Sequence, residues 1–410
     1  MPDLHELHRH ARAIFSHALS AVDPRPKVKE ALTHLNISAP IYSIAIGKAA
    51  TSMALGLDDA LGDRLSAGVI VSTSLHHSSR WQSFIGGHPL PNETSLASAR
   101  AAFTLLDCAN NEQGTVIFLI SGGGSAMIEW SISDDISLDD LRSANQILVS
   151  CGASISEINS VRRAFSAVKG GGLARRAPHA QLFTLIVSDT NPGDEASVAS
   201  GPTLNAPADA PSALEVVEHY HLEKILPNSI MKAVHGAQPS PATTGSHIVL
   251  LDNQTALNAA AQKARELGFG CATLDHIREQ PIEEGCKLLL ENTRQACTIS
   301  GGEFSCPVRG DGRGGRNLET TLRCAISLRD QSSHVVILSA GTDGIDGNSP
   351  AAGAIADETT IERARNLNLD AKQYLARSDS YTFFKQLNDL IITGPTGTNV
   401  RDLRIVLRSV

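Results

Sequence analysis

Apolar positions fall in two patterns along this chain: stripes at helical spacing and short unbroken runs. Leu4, Leu7, Ala11, Ile14, Phe15, Ala18 and Leu19 form a stripe, which predicts an amphipathic helix ending before Asp23-Pro24-Arg25-Pro26. Unbroken runs follow at Ile41 to Ile46, Gly68 to Ser72, Thr115 to Ile120 and Leu182 to Val187. Such runs read as buried strands. Helical stretches lie between them: one reaching Leu61, one from Ser95 to Leu106, one opened by Ser137 and Asp140 as a capping box, and one from Ser156 to Lys169. Phe84 to Pro91 reads as a rigid loop. This alternation predicts a doubly wound, Rossmann-like parallel α/β sheet over residues 1–236. Gly236 to Ser246 is polar, holds two prolines and has no periodicity, so 237–246 is expected to be a linker. A smaller α/β domain is then expected over 247–410. It would open with a strand from His247 to Leu251 and a helix begun by Asp252-Asn253, with later strands at Val335 to Ser339 and Leu403 to Leu407. The last of these is free to return to the first domain.

The chemistry gathers where strands end. Thr115 to Ile120 runs into Ser121-Gly122-Gly123-Gly124-Ser125. Three glycines forgo the restriction a Cβ supplies, as a backbone does where something large and polar must come close. Backbone N–H groups offered there suit a phosphate or carboxylate. Lys48 stands where the strand Ile41 to Ile46 hands over to a helix, another place favourable to anions. It is not part of a Walker loop, because position 42 is Tyr. The plain alternative is a surface lysine. Asp189 follows a strand and Asp194 lies in a Gly/Pro loop, which suits Mg²⁺ held mostly through water and phosphates. Arg162, Arg163 and Lys169 precede Gly170-Gly171-Gly172 and are either capping bases or contacts for a substrate carboxylate. Gly310, Gly312 and Gly315 match GxGxxG with Asp330 downstream, a weak dinucleotide signal interrupted by Pro307 and two arginines. Arg316 beside Gly314 and Gly315 suits phosphoryl oxygens better. Asp343 lies in a Gly-rich acidic turn that is no EF-hand.

Composition narrows the function. The chain has 410 residues, 42% of them apolar, enough for two cores. Its net charge of −8 argues against nucleic acid or an anionic membrane as partner. Seven cysteines are scattered, with no CxxC spacing, so neither a zinc site nor a disulfide framework is expected and a reducing cytoplasm fits. The N-terminus has no apolar signal core, and no run is long enough to span a bilayer.

Nine motifs in this order resemble the glycerate 2-kinase family with its C-terminal MOFRL-type domain. They are Gly47-Lys48-Ala49-Ala50, Gly87-His88-Pro89, Ser121 to Ala126, Val161-Arg162-Arg163 with Lys169-Gly170-Gly171, Ser188-Asp189 with Pro192-Gly193-Asp194, Ser200-Gly201-Pro202-Thr203, Gly314-Gly315-Arg316-Asn317, Gly341-Thr342-Asp343-Gly344, and Thr393 to Asn399. The resemblance implies ATP-dependent phosphorylation of D-glycerate at its 2-hydroxyl, Mg²⁺ dependence and a site in the cleft between domains. It places catalytic roles on Lys48, Arg316 and Asp189. Substrate or nucleotide contacts would come from Ser121, Gly122, Gly123, Gly124, Ser125, Arg162, Lys169, Asp194, Asn253, Gly314, Gly315, Asn317 and Asp343, and metal contacts from Asp189 and Asp194. Expected partners are ATP and D-glycerate, with a homodimer open. A hydroxypyruvate or tartronate-type reductase, phosphorylation at the 3-hydroxyl, and a non-catalytic sugar-acid sensor are the rival readings.

Overall fold

The computed structural model describes residues 3–238, 241–243, 245–291, 295–329 and 334–409. The chain divides into two compact units, Pro24–Leu251 and a second made of Met1–Asp23 with Asp252–Val410.

The Pro24–Leu251 unit holds six strands: β1 (Ile41–Ile46), β2 (Leu65–Ser72), β3 (Trp81–Ile85), β4 (Thr115–Ser121), β5 (Gln181–Val187) and β6 (Ser246–Leu251). Their order is β3-β2-β1-β4-β5-β6, and every neighbouring pair is parallel. Every residue of β1 and β4 is buried, as strands covered on both faces must be. Ile44, Ile46, Phe118 and Ile120 carry the core. The chain winds outward from β1 to β3, then returns to the other side of β1 as β4. That reversal is a topological switch point, and the crevice beyond the strand ends there is where doubly wound sheets bind ligands.

Three expectations change. Phe84 and Ile85 belong to β3 rather than to a loop. Pro24 does not break the chain but opens a helix, Pro24–Leu32, since proline is tolerated where no intrahelical N–H bond is due. The stretch from Ser246 to Leu251 does not begin the second domain. It pairs with β5, Phe183 opposite Ser246 and Leu185 opposite Ile248, so the boundary falls at Asp252 instead of within 237–246. Pro239, Ser240 and Thr244 of the expected linker lie outside the described residues.

The other unit begins with the helix Leu4–Ala21. Its buried stripe of Leu7, Ala11, Ile14, Phe15 and Ala18 packs into one core with Leu257, Ala260, Ile299 and Ile405. The helical period identifies that face but carries no information about its partner, and Met1–Asp23 groups with Asp252–Val410 rather than with the unit that follows it in the chain. The unit's sheet contains β7 (Cys271–Thr273), β8 (Cys297–Gly302), β9 (Val335–Gly341), β10 (Gly353–Asp357), β11 (Leu390–Ile391) and β12 (Asp402–Arg408), ordered β11-β10-β9-β12-β8-β7. Only β7 and β8 run parallel. The last strand, β12, stays in this sheet between β9 and β8, antiparallel to both.

Candidate active site

In the parallel-sheet unit, the loops leaving β1 and β4 interlock. The Lys48 N–H donates to the Gly122 carbonyl at 2.9 Å and the Gly47 N–H to Val71 at 3.0 Å. Ser121 ties them further: its hydroxyl accepts from the Ala49 N–H at 3.0 Å and donates to the Ile46 carbonyl at 3.1 Å. The approach requires glycine at two points. A Cβ on Gly47 would stand 2.3 Å from the Ser121 carbonyl oxygen, and one on Gly123 (φ +79°) would stand 3.0 Å from Lys48 Cγ. The lysine stem therefore lies over Gly123. Ser121 is wholly buried and its hydroxyl braces the two loops. Gly123 and Ser125 reach the surface, while Gly122 and Gly124 do not.

Ser125 leads to the segment after β5. The Ser200 hydroxyl donates to Ser125 Oγ at 2.9 Å and lies 2.8 Å from Asn159 Oδ1. Ala199 (φ 50°), Ser200 (φ 63°) and Gly201 (φ 65°) are all left-handed, a conformation that costs a non-glycine residue roughly 1–3 kcal/mol. Asn159 Nδ2 is buried with no hydrogen-bond partner. The sequence reading noticed Ser200 through its motif but missed Asn159, a mid-helix residue whose exposure no local pattern reveals. Asp189 is half-buried just past β5. The Asp194 carboxylate accepts from Ser197 Oγ at 2.6 Å, and the Thr190 hydroxyl closes the intervening loop on the Asp194 carbonyl at 3.0 Å.

The three neighbouring cations separate by environment. Lys169 is fully buried and ion-paired with Glu129. Burial pulls its pKa down, and Glu129 pulls it back up. Arg162 is also buried, with Nε donating to Asn145 Oδ1 at 2.8 Å. Both charges meet buried partners, and Lys169 also stands in the lining of the cleft that Arg163 borders. Arg163 differs. It donates to Ser160 Oγ at 3.1 Å and borders a cleft of about 600 Å³ with Ser160, Gly170 and Asn205. Burial lowers its pKa while Asp194 raises it.

In the other unit, Arg316 opens the helix Arg316–Leu328. Its Nε donates to Asp402 at 2.6 Å, and its terminal nitrogen reaches Glu303 at 2.6 Å. Burial would lower the Arg316 pKa, but Asp402 and Glu303 outweigh it and the net direction is up. For Asp402, burial pushes the pKa up, yet Arg316 holds it below the ordinary carboxylate value. The helix start is already occupied. The Asp346 carboxylate accepts from the Asn317 N–H at 3.1 Å and the Leu318 N–H at 2.8 Å. A Cβ on Gly315 would lie 2.4 Å from Asp346 Oδ1. Burial, with Asp402 adding to it and the backbone donors opposing, raises Asp346 to about 7. Asn317 is buried against Asp346, Asp402 and Ser339. The Gly314 N–H donates to Asn348 Oδ1 at 2.8 Å. Gly314, Gly315 and Asn317 thus build the platform under Arg316, and an anion at this helix start would meet Asp346.

Two further expectations are redirected. Asn253 bridges strands: its amide donates to Val400 O at 2.7 Å and accepts from the Gly302 N–H at 3.0 Å, which leaves it a structural bracket. Asp343 accepts from the Ile345 N–H at 3.2 Å within its turn. The GxGxxG run is no dinucleotide turn. An irregular segment separates the end of β8 at Gly302 from the helix at Arg316, and Gly312 is tied to the Arg377 carbonyl at 3.0 Å. Asp330 lies outside the described residues. The partnership of Asp346 and Asp402 with the Arg316 helix is not legible in the sequence, because they lie far along the chain from the arginine they organise.

Among the described residues no helix is long and apolar enough to cross a membrane. A family model described as "Domain of unknown function (DUF4147)" matches residues 10–235, and one described as "MOFRL family" matches 296–402. The D-glycerate 2-kinase of Thermotoga maritima is 35% identical over 422 residues, which cover 99% of this chain and 100% of that protein. An Agrobacterium vitis protein provisionally named a hydroxypyruvate reductase is 34% identical, over 97% of this chain and 93% of its own. The crystal structure of glycerate kinase from Thermotoga maritima superposes with a TM-score of 0.85 at 34% identity, covering 98% of this chain and 99% of that one. With both parts of the chain matched and relatives aligned along their whole length, the chain belongs to the glycerate 2-kinase family, in which a DUF4147 domain is joined to a MOFRL domain.

Proposed function

We propose that this protein transfers the γ-phosphoryl group of ATP to the 2-hydroxyl of D-glycerate. The observation that carries the reading is Lys48 lying over Gly123 at the β1/β4 switch point, a strand-end position suited to phosphates. Phosphoryl transfer passes through a loose transition state and depends on positioning and charge neutralisation. Lys48 supplies a compact ammonium and Arg316 a planar donor fork aimed by Asp402. Gly123 exposes backbone where Ser121 has fixed the loop. Asp189 orients the acceptor hydroxyl, and Arg163, which borders a cleft and is less buried than Arg162 and Lys169, pairs with the glycerate carboxylate. Mg²⁺ arriving with the nucleotide would neutralise charge between the β- and γ-phosphates. Asp189 and Asp194 fit such an ion, because Mg²⁺ takes one or two protein carboxylates and completes its shell with water and phosphate. A cytoplasmic location fits the free thiols.

The reductase reading finds little support in the geometry. It needs a glycine-rich strand-to-helix turn for a dinucleotide, and the loop after β1 reads Gly47-Lys48-Ala49-Ala50. The test is one incubation of ATP, Mg²⁺ and D-glycerate, with the products separated. Formation of 2-phosphoglycerate and ADP is expected. Formation of 3-phosphoglycerate would reassign the hydroxyl, and NADH oxidation by hydroxypyruvate without ADP formation would overturn the reading.

A further inference from the structure

No two cysteines are close in the sequence pattern, yet the second sheet brings two together. Cys271 begins β7 and Cys297 begins β8, and the parallel register sets them directly opposite each other. Directly opposed residues on adjacent strands stand about 4.7–4.9 Å apart, within the roughly 4.4–6.8 Å between Cα atoms that a disulfide spans. In a parallel pair both side chains leave the sheet on the same face, and here Cys271 packs against the same core as Cys297, near enough for each thiol to shift the other's pKa. Their surroundings are unequal. Cys271 lies on the edge strand and is half-exposed, while Cys297 is buried. Cys297, aided by Arg265 on the helix above and opposed by burial, draws the Cys271 thiol below its ordinary pKa. The Cys297 thiol is driven up by Cys271 and by burial. One sulfur is thus accessible and disposed to ionise, and the other is a protonated neighbour held within reach. That is the arrangement of an attacking and a resolving thiol.

We propose that Cys271 and Cys297 are a redox-active dithiol: a hydroperoxide oxidises Cys271, and Cys297 then converts it to an intramolecular disulfide. In the first step the Cys271 thiolate attacks a peroxide oxygen. The O–O bond breaks, Cys271 becomes a sulfenic acid, and the departing hydroxide takes up a proton to become water. In the second step Cys297 Sγ attacks Cys271 Sγ. The S–S bond forms, the S–O bond breaks, and the Cys297 proton leaves with the hydroxide as a second water. Two thiols lose two electrons and two protons, and hydrogen peroxide is reduced to two waters. The product fastens a three-residue edge strand to its neighbour. A second pair supplies an internal comparison. Cys286 is likewise near enough to Cys324 to shift its pKa, but both are buried, so an oxidant in solvent does not reach them first.

The experiment treats the full-length reduced protein with hydrogen peroxide, alkylates the remaining thiols and maps non-reduced peptides by mass. The exposed Cys108 serves as the control that peroxide has acted. The expected result is a peptide linking Cys271 to Cys297 that disappears on reduction, with Cys286 and Cys324 still alkylated as free thiols after unfolding. Cys297→Ser should halt the reaction at Cys271 sulfenic acid, trapped by dimedone, and Cys271→Ser should leave Cys297 unoxidised. Circular dichroism confirms that each variant is folded, and Cys297→Ala replaces the serine variant if it is not. Oxidation of Cys108 with no Cys271–Cys297 linkage in the wild-type protein, or linkage of Cys286 to Cys324 ahead of it, would overturn the proposal.

Discussion

Lys169 separates a buried ion pair from a substrate contact, and replacing it by methionine tests which it is. Met keeps the apolar stem and removes the ammonium. Glu129 would then retain the Ser166 hydroxyl and the Trp130 N–H, the latter at 3.0 Å, but no counter-charge, in a position with 0% exposure. Removing one partner of a buried pair costs about 3–5 kcal/mol. The two surviving hydrogen bonds, and the option for Glu129 to take up a proton, place the expected loss near the lower end, about 3 kcal/mol. For a domain of this size class each kcal/mol moves Tm by about 2–4 °C, so a fall of about 6–12 °C is expected. The assay is direct, because both tryptophans, Trp81 and Trp130, lie in the Pro24–Leu251 unit. Urea melts followed by tryptophan fluorescence therefore report on that unit. Glu129→Gln with Lys169→Met should recover part of the loss, the sign of a coupled pair. Arg163→Met is the contrasting variant. It should cost about 1 kcal/mol or less while raising KM for D-glycerate with kcat little changed, as loss of uniform binding does. A Lys169→Met protein that melts within about 1 kcal/mol of wild type but shows the raised KM would refute the ion-pair argument.

Two other outcomes follow from the site. Lys48→Ala and Arg316→Ala should each slow the chemical step by about 10³–10⁵, or about 4–7 kcal/mol of barrier, without unfolding; Lys48→Arg should fail as well, because a planar fork does not replace an ammonium over Gly123, and a folded Lys48→Ala enzyme with wild-type single-turnover rates would end that role. Asp346, raised to about 7 from 3.8, binds more protons folded than unfolded between those values, so its contribution to stability is full below about pH 4 and is lost as pH rises through 7. The gap in stability between wild type and Asp346→Asn should therefore be larger at pH 5 than at pH 8 by about 3 kcal/mol, measured by urea melts with circular dichroism, and equal gaps would contradict the assignment.

What the sequence made legible was local. Unbroken apolar runs located β1, β4 and β5, Ser137 and Asp140 marked a real capping box, and Lys48 was singled out because a lysine at a strand-to-helix junction is unusual chemistry. Strand direction was not legible: β8, β9 and β12 are nearly as buried as β1 and β4, and only their pairing shows β12 antiparallel to both β8 and β9. The pairing of β6 with β5 was not legible, because the polar, proline-bearing stretch just before β6 reads as a domain linker. Arg162, Arg163 and Lys169 are three cations within eight residues, and nothing local distinguishes the buried Arg162 and Lys169 from the half-buried Arg163. Glu129, which decides the role of Lys169, lies forty residues earlier. Cys271 and Cys297 were dismissed for lack of motif spacing, a criterion blind to register.

The charges around Arg316 decide how a phosphoryl group can reach it. Asp402 and Glu303 both bond Arg316, the buried Arg404 adds a second positive charge beside them, and Asp346 adds a third carboxylate behind the helix start. A phosphate approaching Arg316 would compete with the carboxylates already bonded to it. The two partners of Arg316 are not equivalent, however. The Asp402 side chain is 2% exposed and the Glu303 side chain 36%. Releasing Asp402 would leave an uncompensated buried charge, which costs several kcal/mol. Releasing Glu303 costs far less, since water can take the place of the guanidinium. In the proposed reaction the phosphoryl oxygens would therefore exchange with Glu303, while Asp402 would stay bonded to Nε and hold the fork in its plane. Asp346 acts in the same direction. With its pKa raised to about 7, it carries a proton for much of the time near neutrality and removes one repulsive charge without giving up its place at the helix start. The three acids around Arg316 thus differ in kind: buried Asp402 aims the guanidinium, the more exposed Glu303 is the one a ligand would displace, and burial holds Asp346 near neutrality.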